Sequence, residues 1–419
     1  MRLFLPGAYW HTNRGDAALV DGFLRLLRER WPDAEAILTS FRPADDKDVF
    51  DARVIPMLVR PDSVAQRLMS KAVHVAPVFA PLQSVVHLIS LGIVICYLRA
   101  WAWLLKRSVR LAQVLSWQSL WINAQAIRQA DRLIAVPGGY LNAYRWTNTF
   151  WLYHVPVIFL ASYLGKPLSL APCTIGPFAG INRPIARLVL SFTDQIFLRE
   201  ELSKEMLRDL AVPLRRTPVV TFDVAFVFAD ESSRELESSG CLRTLGVSVR
   251  DHNFPGSSSI AASRQRYLEA CASAIQDLLD HDTTALVAIT AQTLEDEAIS
   301  FRLKALLASP RVSVRVDLAS PTQLLRHYEG MRLVLGTRMH ANILAMCVST
   351  PVVAIGYDPK TRGVMRSLGL EDRVLDIDDL SLLSAQLIRS WDEAPNDRQL
   401  VGEKVTYARG ELSALIKSM

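Results

Sequence analysis

The apolar run Arg332-Leu333-Val334-Leu335-Gly336 is followed by Thr337 and Arg338-Met339-His340. A helical stretch from Ala341 to Val348 comes next, and then a second apolar run, Pro351-Val352-Val353-Ala354-Ile355-Gly356-Tyr357. Two short apolar runs around one helix predict a buried βαβ unit, because a strand covered on both faces is apolar throughout instead of alternating. An arginine and a histidine delivered to a helix start meet unpaired backbone N–H groups and the positive end of the helix dipole, a setting suited to an anion beside a proton donor. Lys360 lies twenty residues beyond His340. If the two strands are parallel neighbours, their carboxyl ends face one crevice, and Arg338, His340 and Lys360 surround a single phosphorylated ligand.

The same rhythm extends outward in both directions. Leu3 to Tyr9 reads as the first strand. It is followed by the loop Asn13-Arg14-Gly15-Asp16 and by a helix from Ala17 to Arg30, with Leu19, Phe23, Leu26 and Leu27 at helical spacing and Asp16 as N-cap. Further strands are expected at 36–39, 53–58, 132–136, 167–170, 195–198 and 219–222, then at 245–249, 285–290, 312–316, 333–336 and 352–356. The polar stretch from Ala229 to Gly240 lacks apolar periodicity and is the expected linker. This gives an N-terminal domain over 1–230, a C-terminal domain over 241–385 and a helical tail over 386–419, broken at Pro395. A chain of 419 residues, half of them hydrophobic, is long enough for two α/β cores.

The net charge of +5 is spread over interspersed charges of both signs, so nucleic acid is not an expected partner. Cys96, Cys173, Cys241, Cys271 and Cys347 are scattered, with no metal-binding or disulfide spacing, which suits a reducing cytoplasm. No metal is required by any carboxylate cluster, and no cofactor is expected beyond a donor substrate.

One segment breaks the rhythm. Residues 75–98 contain no Lys, Arg, Asp or Glu, and they lead into Arg99, Trp101, Trp103, Lys106, Arg107 and Arg110. The length would permit a membrane span. A single crossing would split one sheet across a bilayer, so contact of Val75 to Arg110 with one leaflet is favoured, ahead of an insertion covered by protein or by a second copy of the chain. The insertion is expected over about 75–122, with the protein peripheral at the inner face of the cell membrane.

Several motifs occur in a telling order: Asn13-Arg14-Gly15-Asp16-Ala17-Ala18-Leu19, Pro137-Gly138-Gly139-Tyr140, Thr174-Ile175-Gly176-Pro177, Leu198-Arg199-Glu200-Glu201-Leu202-Ser203, Gly246-Val247-Ser248-Val249-Arg250, Arg338-Met339-His340-Ala341 and Gly356-Tyr357-Asp358-Pro359-Lys360. Together they resemble the polysaccharide pyruvyl transferase family over roughly residues 1–370. The resemblance implies two Rossmann-like domains facing a cleft, similar to the glycosyltransferase B fold, with the apolar helical insertion in the N-terminal domain. It also implies transfer of a pyruvyl group from phosphoenolpyruvate to a sugar of a cell-envelope or exopolysaccharide precursor, as a ketal.

Phosphoenolpyruvate carries a phosphate and a carboxylate on one small frame and needs separated cationic positions. Arg338, Lys360, Arg250 and Arg199 are the expected donor-binding residues, and His340 is the expected proton donor, or base for the attacking hydroxyl. Arg199 with Glu200 reads equally as a structural ion pair. Asn13, Gly15, Asp16, Gly138 and Gly139 are assigned to the acceptor, a sugar that is lipid-linked on one reading; Gly138 and Gly139 also read as a tight strand-to-helix turn. Gln292 and Asp296 read as ligand contacts or as helix caps. Two other readings remain open, a nucleotide-sugar glycosyltransferase of the same shape and a non-catalytic scaffold of a polysaccharide assembly complex.

Overall fold

The computed structural model describes residues 1–8, 11–59, 80–229, 243–254, 257–318 and 320–419. Two compact units are present. One comprises residues 1–10 and 23–221, the other residues 11–22 and 222–419. The expected linker at 229–240 lies almost wholly outside the described residues. The helix Arg14–Arg30 contributes its first turns to the second unit and its remainder to the first.

The first unit is built on a parallel sheet of β1 (Arg2–Ala8), β2 (Glu35–Ser40), β3 (Arg53–Pro56), β4 (Arg132–Ala135), β5 (Gly138–Ala143), β6 (Leu168–Phe178), β7 (Ile196–Leu198) and β8 (Val219–Val220). Their order is β3-β2-β1-β4-β6-β7-β8, with β5 paired to the distal part of β6. The second unit has β9 (Thr244–Ser248), β10 (Leu286–Thr290), β11 (Val312–Arg315), β12 (Leu333–Gly336), β13 (Val352–Gly356) and β14 (Val374–Asp376), ordered β11-β10-β9-β12-β13-β14 and parallel throughout. Leu245, Val247, Val287, Ile289, Leu333, Leu335, Val353 and Ile355 all enter one core with the helix Ile260–His281. In both sheets the order reverses beside the first strand of the unit, and ligands of such sheets bind at that switch point, outside the carboxyl ends of the strands.

Four expectations change. Asp16 is not the cap of the first helix; Asn13 is, its Oδ1 accepting from the Gly15 N–H at 3.2 Å while its Nδ2 donates to Asp16 at 2.6 Å. Asn precedes the helical turn here, whereas Asp16 already sits within it beside the positive dipole end. Gly138 and Gly139 do not form a strand-to-helix turn but open β5. The strand expected at 167–170 runs on to Phe178, which is what gives β5 a partner.

The tail is the fourth. Leu383–Ser418 is one helix with Pro395 inside it. A proline leaves the carbonyl four residues earlier without its helical donor. That carbonyl belongs to Trp391, and the Arg332 Nε–H donates to it at 2.8 Å, with the guanidinium 5.1 Å from the Trp391 ring centroid. A side chain from the start of β12 thus replaces the missing bond. Arg332→Met is expected to lower stability by roughly 1–3 kcal/mol through the stranded carbonyl, measured by urea denaturation; an unchanged midpoint would show that the helix tolerates Pro395 without help.

Candidate functional site

β9 and β12 are neighbours at the switch point of the second sheet. Arg250 lies two residues past β9, Arg338 two past β12, and Lys360 four past β13, so all three emerge at one sheet edge. Tyr267 joins two of these ends, its hydroxyl 2.7 Å from Thr337 Oγ1 and accepting from the Arg250 N–H at 3.4 Å. Gly336 lets Asn342 fold back, with Nδ2 donating to the Gly336 carbonyl at 2.9 Å; a Cβ at Gly336 would lie 2.1 Å from Asn342 Oδ1.

The three cations are not equivalent. Arg338 is tied by its Nε and Nη2 to the two carboxylate oxygens of Asp296, at 2.9 and 2.7 Å, and Nη2 also reaches Thr293 Oγ1 at 3.2 Å. Asp296 is fully buried. Burial works against the charge on Arg338, but the hydrogen bonds and charge of Asp296 outweigh it and raise its pKa above the ordinary arginine value. Nη1 makes no hydrogen bond among the described residues, so one edge of an oriented guanidinium remains for a ligand. Lys360 pairs with Asp358 at 2.7 Å, and Asp358 also caps the helix Pro359–Ser367 through the Lys360 N–H.

Arg250 differs from both. It makes no ion pair among the described residues; its guanidinium lies 4.2 Å from the Tyr357 ring centroid, and its buried Nε finds no hydrogen-bond partner there. Lys360 Nζ approaches the same ring at 5.7 Å. Tyr357, just past β13, therefore brings Arg250 and Lys360 to one aromatic ring. His252 stands 5.1 Å from Tyr357, its pKa lowered by burial and then by the charge of Arg250.

His340 sits in the first turn of the helix Met339–Cys347, largely buried, with Nε2 3.9 Å from Oδ2 of buried Asp223. That is charge proximity, longer than a hydrogen bond. Asp223 is held by its own turn, Oδ1 accepting from the Ala225 N–H at 2.9 Å. On the other side the ring is packed on Gly15, where a Cβ would lie 2.5 Å from Nδ1. The neighbouring Arg14, itself buried, donates to the carbonyls of Ala291 and, at 2.8 Å, of Val316 beyond β10 and β11. This pins the Asn13–Asp16 turn to the second sheet.

Of the residues assigned to the acceptor, Asn13, Gly15 and Asp16 thus belong with His340 in the second unit, while Gly138 and Gly139 belong to the first. Arg199, expected at the donor, is buried in the first unit. Its Nε donates to Thr174 Oγ1 at 2.7 Å and lies 3.3 Å from Glu200, and Glu200 accepts from Ser203 at the start of the helix Glu201–Asp209. A Cβ at Gly139 would lie 3.1 Å from Arg199 Nη2, a tight contact. The geometry is that of an ion pair fixing a helix start.

Sequence reasoning passed over Arg14, Asp223, Tyr357 and the Arg338–Asp296 pair. Arg14 and Tyr357 stand within two of the quoted motifs, and Asp296 was noted as an acidic residue after β10, but none of them was given its observed role. It also passed over an aromatic cluster at the carboxyl edge of the first sheet. There His154 stacks on Tyr140 at 4.3 Å, Phe41 lies 5.7 Å from Phe150, and Tyr153 sits 5.6 Å from Phe150. Burial drives the His154 pKa down to about 3, so it is a neutral ring at working pH. Phe150 is exposed, as are Tyr144 and Trp146 earlier in the same segment.

Two parallel doubly wound sheets with this strand order define the architecture of B-type glycosyltransferases and nucleotide-sugar epimerases. A UDP-GlcNAc 2-epimerase from Neisseria meningitidis bound to UDP-GlcNAc matches with a TM-score of 0.59 at 10% identity, covering 100% of this chain and 99% of that one. A glycosyltransferase from Rickettsia africae matches at 0.53 and 8% identity, over 98% and 93%. These likenesses establish the fold. The chain belongs to the polysaccharide pyruvyl transferase family, whose model matches residues 13–359. It is 23% identical to the amylovoran biosynthesis protein AmsJ of Erwinia amylovora, over 97% of this chain and 95% of that protein.

Two outcomes follow for the site. Alanine for glycine inside a helix ordinarily stabilises by roughly 0.5–1 kcal/mol, but Gly15→Ala must displace the His340 ring and is expected to cost about a hundredfold in turnover; full activity would show that the ring position is dispensable. Arg338→Ala leaves Asp296 buried and unpaired and is expected to cost roughly 3–5 kcal/mol of stability. The double variant Arg338→Met/Asp296→Asn should recover much of that loss in denaturant titrations.

Proposed function

We propose that the protein transfers the pyruvyl group of phosphoenolpyruvate to a sugar of a cell-envelope or exopolysaccharide precursor in the cytoplasm, closing it as a ketal. The observation that carries this reading is Arg250 and Lys360 at the Tyr357 ring and the open edge of Arg338 at the start of the helix that carries His340, all at the carboxyl ends of one sheet in a chain of this family. A small donor with two anionic groups suits two separated cationic positions. Arg250 and Lys360 take one anionic group, and Arg338 with the N–H groups opening the helix Met339–Cys347 takes the other.

His340 donates a proton to C3 of the enol, with Asp223 as counter-charge to the imidazolium, and C2 becomes electrophilic. A sugar hydroxyl attacks C2 and gives up its proton, the C2–O bond to phosphate breaks, and a second hydroxyl attacks C2 and loses its proton to close the ring. The acceptor is assigned to the first unit, where Tyr144, Trp146 and Phe150 are exposed in the segment that follows β5, the strand opened by Gly138 and Gly139. Arg199 serves there by holding the helix start beneath Gly139.

The test is incubation with phosphoenolpyruvate and a panel of lipid-linked and nucleotide-linked sugars, read by phosphate release and by the mass of the product. Thermal stabilisation by phosphoenolpyruvate supports the reading, whereas stabilisation by nucleoside diphosphates alone points to a glycosyltransferase. His340→Ala is expected to lower turnover by about 10²- to 10⁴-fold with donor binding retained. Arg250→Ala and Lys360→Ala should each weaken donor binding by roughly 1.5–3 kcal/mol in calorimetry; unchanged affinity in both would move the donor site elsewhere.

A further inference from the structure

The helix Ala80–Leu105 is apolar all round, yet only one stripe of it is covered. Ser84, Leu91, Leu98 and Leu105 are buried at seven-residue spacing, joined by Trp101 and Ala102, and this stripe faces the helix Val155–Tyr163 and the short helix Val109–Val114. Polar bonds fix the seat along its length: Ser84 Oγ donates to the Thr147 carbonyl at 2.9 Å, His87 Nδ1 lies 2.7 Å from Thr149 Oγ1, and Trp101 Nε1 donates to the Ala112 carbonyl at 2.8 Å. Pro81–Leu105 is long and apolar enough to cross a membrane by length and composition. A helix seated lengthwise on its own domain, between β3 and β4 of one sheet, does not do so.

The opposite face carries Leu82, Val85, Val86, Ile89, Ile93, Tyr97 and Trp103, all exposed, with Ile89, Ile93 and Trp103 at 59%, 65% and 57%. Val109, Leu111, Val114 and Leu115 continue it. A surface helix in water normally turns a charged face outward, but Arg99 is the one charge between Ala80 and Leu105. Among the described residues 80–130, every Lys, Arg, Asp or Glu is a cation. Arg99, Lys106, Arg107 and Arg110 are exposed, Arg107 lies 3.4 Å over the Trp103 ring, and residues 63–130 contain no Asp or Glu.

We infer that this face docks on an anionic lipid leaflet, the aliphatic side chains and Trp103 entering the headgroup boundary and Arg99, Lys106, Arg107 and Arg110 facing lipid phosphates. The sign of the charge selects this occupant. An apolar strip whose own segment carries only cations suits a surface of fixed negative charge, whereas a second copy of the chain would set these like charges against each other.

The test is sedimentation of the full-length protein with vesicles of phosphatidylcholine alone and of phosphatidylcholine with phosphatidylglycerol, at low and high salt. Binding is expected to the anionic vesicles and to weaken as salt rises. Ile89→Glu/Ile93→Glu should abolish it, and Lys106→Glu/Arg110→Glu should lower it roughly tenfold to a hundredfold. Leu382→Glu, at an exposed leucine of the second unit, should leave it intact and shows that an added charge alone does not act. Circular dichroism of each variant separates lost docking from lost folding. Full-length protein that stays in the supernatant with both vesicle types overturns the inference; so does a dimer in light scattering that becomes monomeric with Ile89→Glu/Ile93→Glu.

Discussion

The site depends on the ion pair between Arg338 and Asp296. A buried carboxylate costs several kcal/mol unless it is paired, and here the pair is bidentate, which fixes the plane of the guanidinium as well as its place. Two consequences follow. Arg338 presents only its remaining edge, in one orientation, at the junction of β12 and the helix that carries His340. Its charge is largely balanced by Asp296, as that of Lys360 is by Asp358, so the net attraction for the proposed donor comes chiefly from Arg250 and from the helix N-terminus.

His340 is constrained in a complementary way. Gly15 opposes one side of its ring and Asp223 the other, and both lie far from it in sequence, at the two ends of the N-terminal region. Arg14 holds the Gly15 turn by donating to two carbonyls beyond the second sheet. The role proposed for His340, proton donation, needs an orientation more than an affinity. Packing against a position without a side chain is an economical way to set one.

The strands were legible in sequence because doubly covered parallel strands are short apolar runs, and the placement of Arg338, His340 and Lys360 at their carboxyl ends followed from that. What could not be read was mostly pairing at long range. Asp296 is 42 residues from Arg338, and its acidity alone fitted a helix cap equally well. Pro395 was expected to break the tail because the donor that replaces its missing bond, Arg332, comes from a different element. Gly138 and Gly139 looked like a turn, since nothing local shows that β6 runs on far enough to pair with them. The apolar helix was plain from composition, but which of its faces is covered is a tertiary fact.

The central claim is that C3 of phosphoenolpyruvate is protonated on this protein and C2 is then captured by a sugar. The most direct measurement is transfer run in deuterium oxide, with the product examined by mass spectrometry and proton NMR. The account predicts a ketal whose methyl group carries one deuterium, formed with an equivalent of inorganic phosphate. Consumption of a nucleotide sugar with phosphoenolpyruvate left untouched would contradict it.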